Sequence, residues 1–291
     1  MQGHHMHGFE PNGQGLTRRS RLGQRSLTLR GAAPPSRSVR TNVTPAGRSS
    51  RRSTYEDGPL LALLGPPRLR REGRWVALPS VRWVVLLGYL ARCGGWVRRE
   101  VLAALFWPDH DDHGASLNLR QTLQTIVRSP AGCGLVREPS RVRWSGSSDV
   151  DVFEAMVETE AWEAAVKTYG GTFLDGIEVD GVAPVQAWIE AERNGLRERW
   201  RTCALTLTAV WLEAHRCHQA LALAERLQRD DPFDEAALRL KLQASVHCGD
   251  HRRAARTFEL ARAFLKRELG VGPEPATMEL AGTLGLVEHG G

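Results

Sequence analysis

Side chains that can read the edges of DNA bases recur at helical spacing between residues 106 and 128. Glutamine can bridge N6 and N7 of adenine, arginine can bridge O6 and N7 of guanine, and threonine can contact the thymine methyl group. At about 100° per residue, these side chains share one side of a helix. They are Arg120, Gln121, Gln124, Thr125 and Arg128. The pattern indicates base readout. The alternative, which the sequence of this helix alone does not exclude, is a helix face that only contacts solvent.

The opposite side of the same helix predicts a packed face. Its apolar residues fall within about 80° of arc, as expected for a stripe that faces a core. They are Ala115, Leu119, Leu123 and Ile126. Leu117 lies instead among the polar side chains. We expect it to pack under the following hairpin, with contact to a thymine methyl group or to a neighbouring subunit as the alternatives.

Acidic residues at the start of this helix limit which part of it could touch DNA. Asp109, Asp111 and Asp112 follow Pro108, which predicts the end of the preceding helix. Carboxylates at a helix N-terminus interact favourably with the helix dipole, typically by about 0.3 to 1 kcal/mol. They also repel phosphate, so we expect base contacts from Arg120 onward.

Short strands and two helices precede this stretch. Residues 60–65 and 68–78 predict two or three strands separated by Gly-Pro-Pro and Glu-Gly turns. Ser80 is the expected N-cap of an almost wholly apolar helix that ends at Gly94. Residues 98–106 predict a shorter second helix with one apolar face.

A basic β-hairpin is predicted after the third helix. Its strands span residues 135–138 and 141–144, and Arg137, Arg141 and Arg143 are its exposed cations. Strands, three helices and a basic hairpin are the order of a winged helix-turn-helix domain. In such a domain the third helix enters the major groove and the hairpin lies near the backbone or the minor groove.

Charge is distributed unevenly along the chain. Residues 1–57 hold ten Arg and three acidic residues, residues 58–150 hold thirteen Arg and seven, and residues 151–291 hold sixteen Lys or Arg and twenty-three. The net charges are therefore +7, +6 and −7. The basic parts suit a polyanion, whereas the acidic part suits a different partner.

The first 57 residues are rich in Gly, Ser, Pro and Arg and poor in large apolar residues. We expect them to be disordered, because they cannot bury enough surface to offset the entropy of ordering. A nonspecific DNA-binding arm, a leader without function and a misassigned start codon all fit this composition. His4, His5 and His7 lie in this tail and are not expected to form a metal site.

From residue 151 onward the pattern is helical and contains a repeat of 34 residues. The segments that begin at His218 and Arg252 superimpose at this shift, which aligns Ala220 with Ala254, and Pro232 follows Ala220 by twelve residues. A helix pair of this length, with small residues at the helix contact and a terminal Pro, is typical of tetratricopeptide repeats. Two clear repeats need flanking helices to complete a stable stack.

Cysteine and histidine cluster at two successive turns of this region, where the repeat predicts that the two groups approach each other. Cys and His together suit zinc. The groups are His215, Cys217 and His218, and His247, Cys248 and His251. Because their spacings match no familiar zinc signature and turns readily accept His, we expect no metal site, and zinc binding is the alternative.

Motifs for catalysis are absent from the sequence: it has no Gly-x4-Gly-Lys, His-Glu-x-x-His or Gly-x-Ser-x-Gly. Helix capping is the simpler role for Asp149, Asp151, Asp175 and Asp180. Five cysteines without paired spacing indicate a reducing compartment, and no run approaches the roughly 18 apolar residues of a membrane helix. We therefore expect a cytoplasmic, nucleoid-associated protein that is not an enzyme, has no cofactor and does not contact a membrane.

Several motifs along residues 59–285 are shared with a known family. The most specific is Glu268-Leu-Gly-Val-Gly-Pro, which follows the long segment that begins at Asp231. Leu105-Phe-Trp-Pro-Asp and Asn118-Leu-Arg give further support, as do LLGPPRLR (63–70), DVDVFE (149–154), TFLDG (172–176) and AWIEAERNGLRERW (187–200). The chain resembles the SARP-type bacterial regulators on these residues.

The resemblance implies a winged helix like that of response-regulator output domains, coupled to a tetratricopeptide-like bacterial transcriptional activation domain. It also implies a sequence-specific regulator, often one that binds repeated sites as a homodimer and contacts RNA polymerase. Two departures are visible. The hairpin is followed by Trp144-Ser-Gly-Ser-Ser rather than by the usual Gly-Tyr, and no ATPase domain is appended, so no nucleotide switch is expected.

Together these observations predict a mainly α-helical protein with three parts. These are a disordered basic tail (1–57), a winged helix-turn-helix α+β domain (58–148) and an all-α tetratricopeptide-like activation domain (149–286). The predicted function is sequence-specific binding of double-stranded DNA, with the helical domain contacting RNA polymerase or another regulatory protein. The alternative is a tetratricopeptide adaptor whose winged helix docks proteins and not DNA.

Overall fold

A computed structural model of the chain describes residues 60–79, 81–179 and 181–287. The predicted tail, Ser80 and Asp180 lie outside the described residues. The fold is mainly α-helical, as predicted. In chain order its strands are β1 (Leu60–Ala62), β2 (Arg68–Arg71), β3 (Arg74–Ala77), β4 (Val97–Arg98), β5 (Leu135–Arg137), β6 (Arg141–Trp144) and β7 (Ser147–Ser148). Its helices are α1 (Arg82–Cys93), α2 (Arg99–Phe106), α3 (Asp112–Arg128), α4 (Asp149–Glu158), α5 (Trp162–Thr168), α6 (Ala183–Glu213), α7 (Cys217–Asp230), α8 (Glu235–His247), α9 (His251–Leu269) and α10 (Pro275–Thr283), with a 3-10 turn at Pro130–Gly134.

A four-stranded sheet with the strand order β3-β2-β1-β7 opens the described chain. β1, β2 and β3 are antiparallel, whereas β7 pairs with β1 in parallel. Glu72 and Gly73 connect β2 to β3 with φ angles of 51° and 74°, and two left-handed residues in a two-residue loop fit the twist of a hairpin. Because β7 follows the second hairpin, the two ends of the N-terminal part meet at β1.

The first helix forms the centre of the N-terminal part. All eight residues from Val84 to Ala91 are buried, in agreement with a sequence that is apolar on nearly every side. The helix ends at Gly94, which adopts a left-handed conformation with φ of 62° and donates its N–H to the carbonyls of Leu90 and Ala91. α3 packs against α1 and α2, so this buried helix supports the helix whose polar face the sequence singles out.

A second sheet, with the order β4-β6-β5, contains the basic hairpin. β4 lies directly before α2, and the N–H of Arg99 donates to the carbonyl of Ser140 at 2.9 Å. The ring of Trp144 occupies the space beside Gly134, where any Cβ atom would overlap with it. The hairpin is therefore held at its base by Trp144 and at its tip by the start of α2.

The C-terminal part is a stack of helices. α4 packs on α5, and the long helix α6 connects this pair to α7 and α8. Ala220 on α7 and Ala254 on α9 are both completely buried, as the small residues of the predicted repeat require. α7 and α8 form one packed helix pair, α9 and α10 each pack on α8, and α4 to α6 supply the flanking helices.

One hydrophobic core continues from the N-terminal sheet into the helical stack. Its shared members include Leu63, Tyr89, Phe173 and Trp188. The ring of Tyr89 on α1 meets the ring of Trp188 on α6 edge to face, with centroids 5.0 Å apart, and Trp188 meets Phe173 in the same way at 5.8 Å. The α3 helix and the helical stack are therefore built on the same core.

Asp149 connects the N-terminal sheet to the first helix of the helical stack through polar contacts. Its carboxylate accepts the N–H groups of Leu63 at 2.8 Å and Leu64 at 3.0 Å. The expectation that Asp149 caps a helix is wrong: Ser148 is the N-cap of α4, and Asp151 completes its capping box. Asp175 caps no helix either. Burial raises the pKa of Asp149 to about 6, against the lowering effect of its backbone N–H donors.

Candidate nucleic-acid interface

The third helix forms as the sequence predicts. The side chain of Asp111 is its N-cap and accepts the N–H of Gly114 at 2.9 Å, and the helix ends one residue before Ser129 and the 3-10 turn. The buried residues of α3 are Ala115, Leu119, Leu123 and Ile126, the four that its periodicity places on the packed face. Their burial leaves the opposite side of the helix facing solvent.

That exposed side carries every side chain singled out for base contacts. Arg120, Gln121, Gln124, Thr125 and Arg128 are all exposed. The hydroxyl of Thr125 donates to the carbonyl of Gln121 at 3.1 Å. Within the described residues, the other four side chains form no hydrogen bond or ion pair. The face therefore offers two free amides and two free guanidinium groups to a partner.

Leu117 belongs to this exposed face. Its expected place under the hairpin is wrong, because 46% of its surface is accessible to solvent. The hairpin instead packs against α1 through β6, where Val142 and Trp144 are buried. An apolar side chain thus stands in the middle of a polar surface, available to a methyl group or to another apolar partner.

The three hairpin arginines differ in their surroundings. Arg137 is exposed and forms no ion pair with any described residue. Arg141 pairs with Glu138 at 2.6 Å, and its hydrogen bond to that carboxylate lowers the pKa of Glu138. Arg143 is half-buried, and the guanidinium groups of both Arg141 and Arg143 stack on the ring of Trp96, 4.5 and 5.0 Å from its centroid. Among the described residues, Arg137 is thus the one exposed hairpin arginine without an acidic partner, and Arg143 is unpaired but half-buried.

Two further residues of this surface were not predicted from the sequence. Trp96 supports two arginines through cation–π contacts, and Arg99 at the start of α2 completes a group of cations. Burial lowers the pKa of Arg99, and the nearby charges of Arg137 and Arg120 lower it further. Trp96-Val-Arg-Arg is an aromatic and basic run directly before α2, which is the signal that could have identified them.

The basic group lies at the junction of three elements. Arg99 comes from α2, Arg120 from the middle of α3 and Arg137 from β5, and the charges of Arg137 and Arg120 act on Arg99. The Nε atom of Arg99 is buried and has no hydrogen-bond partner among the described residues. Asp109, Asp111 and Asp112 are exposed at the N-terminal end of α3, apart from this group.

A second cluster of chemically active side chains lies in the helical stack. Atoms of Cys217, His218 and Cys248 that could bind a metal lie within 4.8 Å of one another. The predicted approach of the two Cys and His groups is thus confirmed for these three residues. His215, His247 and His251 do not belong to the cluster.

Comparison with protein families assigns the helical part. Residues 149–284 match the family described as bacterial transcriptional activator domain. This part of the chain is similar to that domain, and we call it the activator domain. The activator domain spans α4 to α10, and its family is regulatory and not enzymatic, as predicted. The match also supports the resemblance to the SARP-type regulators.

A solved structure shares the fold of most of the described chain. It is described as Mycobacterium tuberculosis EmbR in complex with a low affinity phosphopeptide. The similarity has a TM-score of 0.58 and 18% sequence identity, and it covers 79% of this chain and 65% of the EmbR chain. This chain therefore spans less than two thirds of the length of EmbR, and at this identity the likeness concerns the fold.

The sequence matches no curated protein. None of the helices in the described part of the chain combines the length and the apolar character needed to cross a bilayer.

Proposed function

We propose that the chain is a sequence-specific DNA-binding transcriptional regulator. In this proposal residues 58–148 are a winged helix-turn-helix domain that holds α3 in the major groove. The activator domain contacts RNA polymerase or another regulatory protein and, on binding, raises transcription. The observation that carries the proposal is the exposed face of α3, whose amides and guanidinium groups have no partner within the described residues.

The face has the chemistry and the support that base readout needs. Gln121 and Gln124 can each form paired hydrogen bonds with adenine, and Arg120 and Arg128 can do so with guanine. Because the hydroxyl of Thr125 is occupied by the Gln121 carbonyl, Thr125 offers its methyl group to thymine. The packed side of α3 holds these five side chains on a rigid helix, which favours discrimination between bases.

The cations beside α3 suit the phosphate backbone. Arg99 lies near Arg137 and Arg120, and within the described residues neither Arg99 nor Arg137 has an acidic partner, so both can neutralise phosphates and release counterions. Arg141 and Arg143 extend the basic surface along the hairpin, although Glu138 compensates the charge of Arg141. In this division α3 reads the base sequence, and the hairpin fixes the position of the protein along the duplex.

The acidic activator domain suits a protein partner better than a second stretch of DNA. Residues 151–291 carry a net charge of −7, which opposes contact with phosphate. The shared core holds this domain in a fixed orientation to α3. A homodimer on repeated sites and a location on the nucleoid in the cytoplasm follow from the same proposal.

Selection of bound duplexes from a random DNA pool tests the proposal. We expect both the full chain and residues 58–291 to enrich the same sequence motif. Specific sites typically bind about 10³ to 10⁷ times more tightly than unrelated DNA. Binding that is lost with residues 1–57, or that shows no base preference, would instead support the adaptor function, in which the winged helix docks a protein.

A further inference from the structure

Two cysteines and a histidine meet where the helix pair of the repeat closes. Cys217 and His218 are the first two residues of α7, and Cys248 is the C-cap of α8. Because α7 and α8 pack together as a hairpin, the start of one helix lies beside the end of the other. Residues about 30 positions apart in the sequence therefore face each other.

One distance between these atoms equals an edge of a tetrahedral zinc site. The Sγ of Cys248 lies 3.6 Å from Nδ1 of His218, and all three candidate ligand atoms lie within 4.8 Å of one another. Zn–S bonds of about 2.3 Å and Zn–N bonds of about 2.0 to 2.1 Å place sulfur and nitrogen roughly 3.6 Å apart at a tetrahedral centre. One edge is thus already at the distance that zinc requires.

We propose that Cys217, His218 and Cys248 bind a zinc ion, with water in the fourth position. Two thiolates and an imidazole favour zinc over magnesium or calcium, which prefer oxygen ligands. Both thiols give up their protons to solvent when the metal binds. The cysteines are half-buried and His218 is exposed, so the ion can enter from solvent through the side of the histidine.

The metal would fasten a small core that is separate from the main one. Cys248 packs against a cluster formed by Leu212, Ala220, Leu221 and Ala244, with Trp211 at its edge. This cluster joins the end of α6 to α7 and α8. The zinc ion would tie the α6–α7 turn to the α8–α9 turn, and this role is independent of DNA binding.

Cobalt provides a direct test, because thiolate ligands give Co²⁺ a charge-transfer absorption that oxygen and imidazole ligands do not. The full chain is used under reducing conditions, with His4, His5 and His7 replaced by Ala so that the tail cannot take up metal. We expect one Co²⁺ per chain, a thiolate charge-transfer band and displacement by one Zn²⁺. Cys133→Ser is the matched control, since Cys133 is an exposed cysteine outside the cluster, and it should retain the band.

Cys217→Ser and Cys248→Ser should each abolish or shift the band and weaken zinc binding by more than about 100-fold, since outer-shell partners alone contribute about 10- to 100-fold. His218→Ala changes only an exposed side chain, so it should weaken zinc binding while the circular dichroism spectrum stays the same. The proposal is overturned if zinc affinity is the same in Cys248→Ser and Cys133→Ser. It is overturned equally if the reduced chain takes up no metal.

Discussion

Arg92 at the end of α1 forms a two-pronged ion pair with Glu154 on α4, with both N···O distances at 3.1 Å. The same guanidinium donates to Glu192 on α6 at 2.9 Å. Only 13% of the Arg92 side chain is exposed. A single side chain therefore joins the N-terminal part to two helices of the activator domain.

Replacing Arg92 by Ala should destabilise the protein by about 3 kcal/mol, because the largely buried Glu192 would lose its cation, whereas Glu154 keeps its ion pair with Arg199. Arg71→Ala is the matched control, since Arg71 pairs with Glu72 at the surface, where such pairs contribute less than about 1 kcal/mol. Urea denaturation measures both changes. Equal midpoints for the two variants would show that the junction does not depend on this ion pair.

Asp149 should make stability depend on pH. Its pKa is raised to about 6 in the folded protein, above the value of about 3.9 for an unperturbed Asp, so the folded state favours the protonated form. The stability that this proton gives the folded state is fully present below about pH 4 and is lost as the pH rises through about 6. The loss is on the order of 2 to 3 kcal/mol.

Asp149→Asn removes this titration. The difference in unfolding free energy between the wild type and Asp149→Asn should therefore favour the wild type more at pH 4 than at pH 7.5. Asp151→Asn, which alters the neighbouring capping box, is the control and should not remove the effect. A difference that is constant over this pH range would mean that Asp149 does not titrate there.

The two glutamines of α3 should determine base preference. Each paired contact with adenine contributes about 1 to 3 kcal/mol of discrimination, so Gln121→Ala with Gln124→Ala should weaken binding to the selected site by about 30-fold or more. Binding to unrelated DNA should hardly change. Gln219→Ala on α7 alters an exposed glutamine far from α3 in the sequence and serves as the control. If the double variant keeps the base preference of the wild type, α3 is not the helix that reads the bases.

Arg137 and Arg141 should differ in their effect on salt dependence. Arg137→Ala is expected to weaken binding to all sequences alike and to reduce the slope of log K against log salt by about 1, as for one phosphate contact. Arg141→Ala should reduce the slope less, because Glu138 already compensates this charge. Titrations at several salt concentrations with a selected and an unrelated duplex measure both slopes, and the reverse order of the two effects contradicts this assignment.

Leu117 should contact a thymine methyl group. Replacing the thymines of the selected site by uracil, one at a time, should weaken binding of the wild type about fourfold at one position, since a buried methyl group contributes about 0.8 kcal/mol. Binding of Leu117→Ala should not change when the thymine at that position is replaced by uracil. The variant should be as stable as the wild type, because the Leu117 side chain is half exposed. If Leu117→Ala instead lowers cooperativity between adjacent sites, Leu117 contacts a neighbouring subunit.

Local patterns in the sequence were sufficient to predict much of this architecture. The period of α3 predicted its four buried residues, and the 34-residue repeat predicted the burial of Ala220 and Ala254. Such predictions succeed because the spacing of apolar residues within one helix decides which face packs.

Contacts between distant segments could not be predicted in the same way. The bonds from Leu63 and Leu64 to Asp149 join residues more than 80 positions apart, and they replace the capping role that its position near a helix start suggested. The prediction for Leu117 was wrong for a related reason. Its surroundings depend on the position of the hairpin, and the hairpin packs on α1. The stacking of Arg141 and Arg143 on Trp96 likewise depends on the pairing of β4 with β6.

The core shared by Tyr89 and Trp188 has a consequence for the promoter. In the proposed function, α3 and the activator domain are held on one core, so the site on the duplex sets the direction in which the activator domain points. A displacement of about 5 base pairs, half a turn of the double helix, carries that domain to the far side of the DNA. Under this proposal, the helical phase between operator and polymerase is part of the regulatory signal, alongside the sequence of the operator itself.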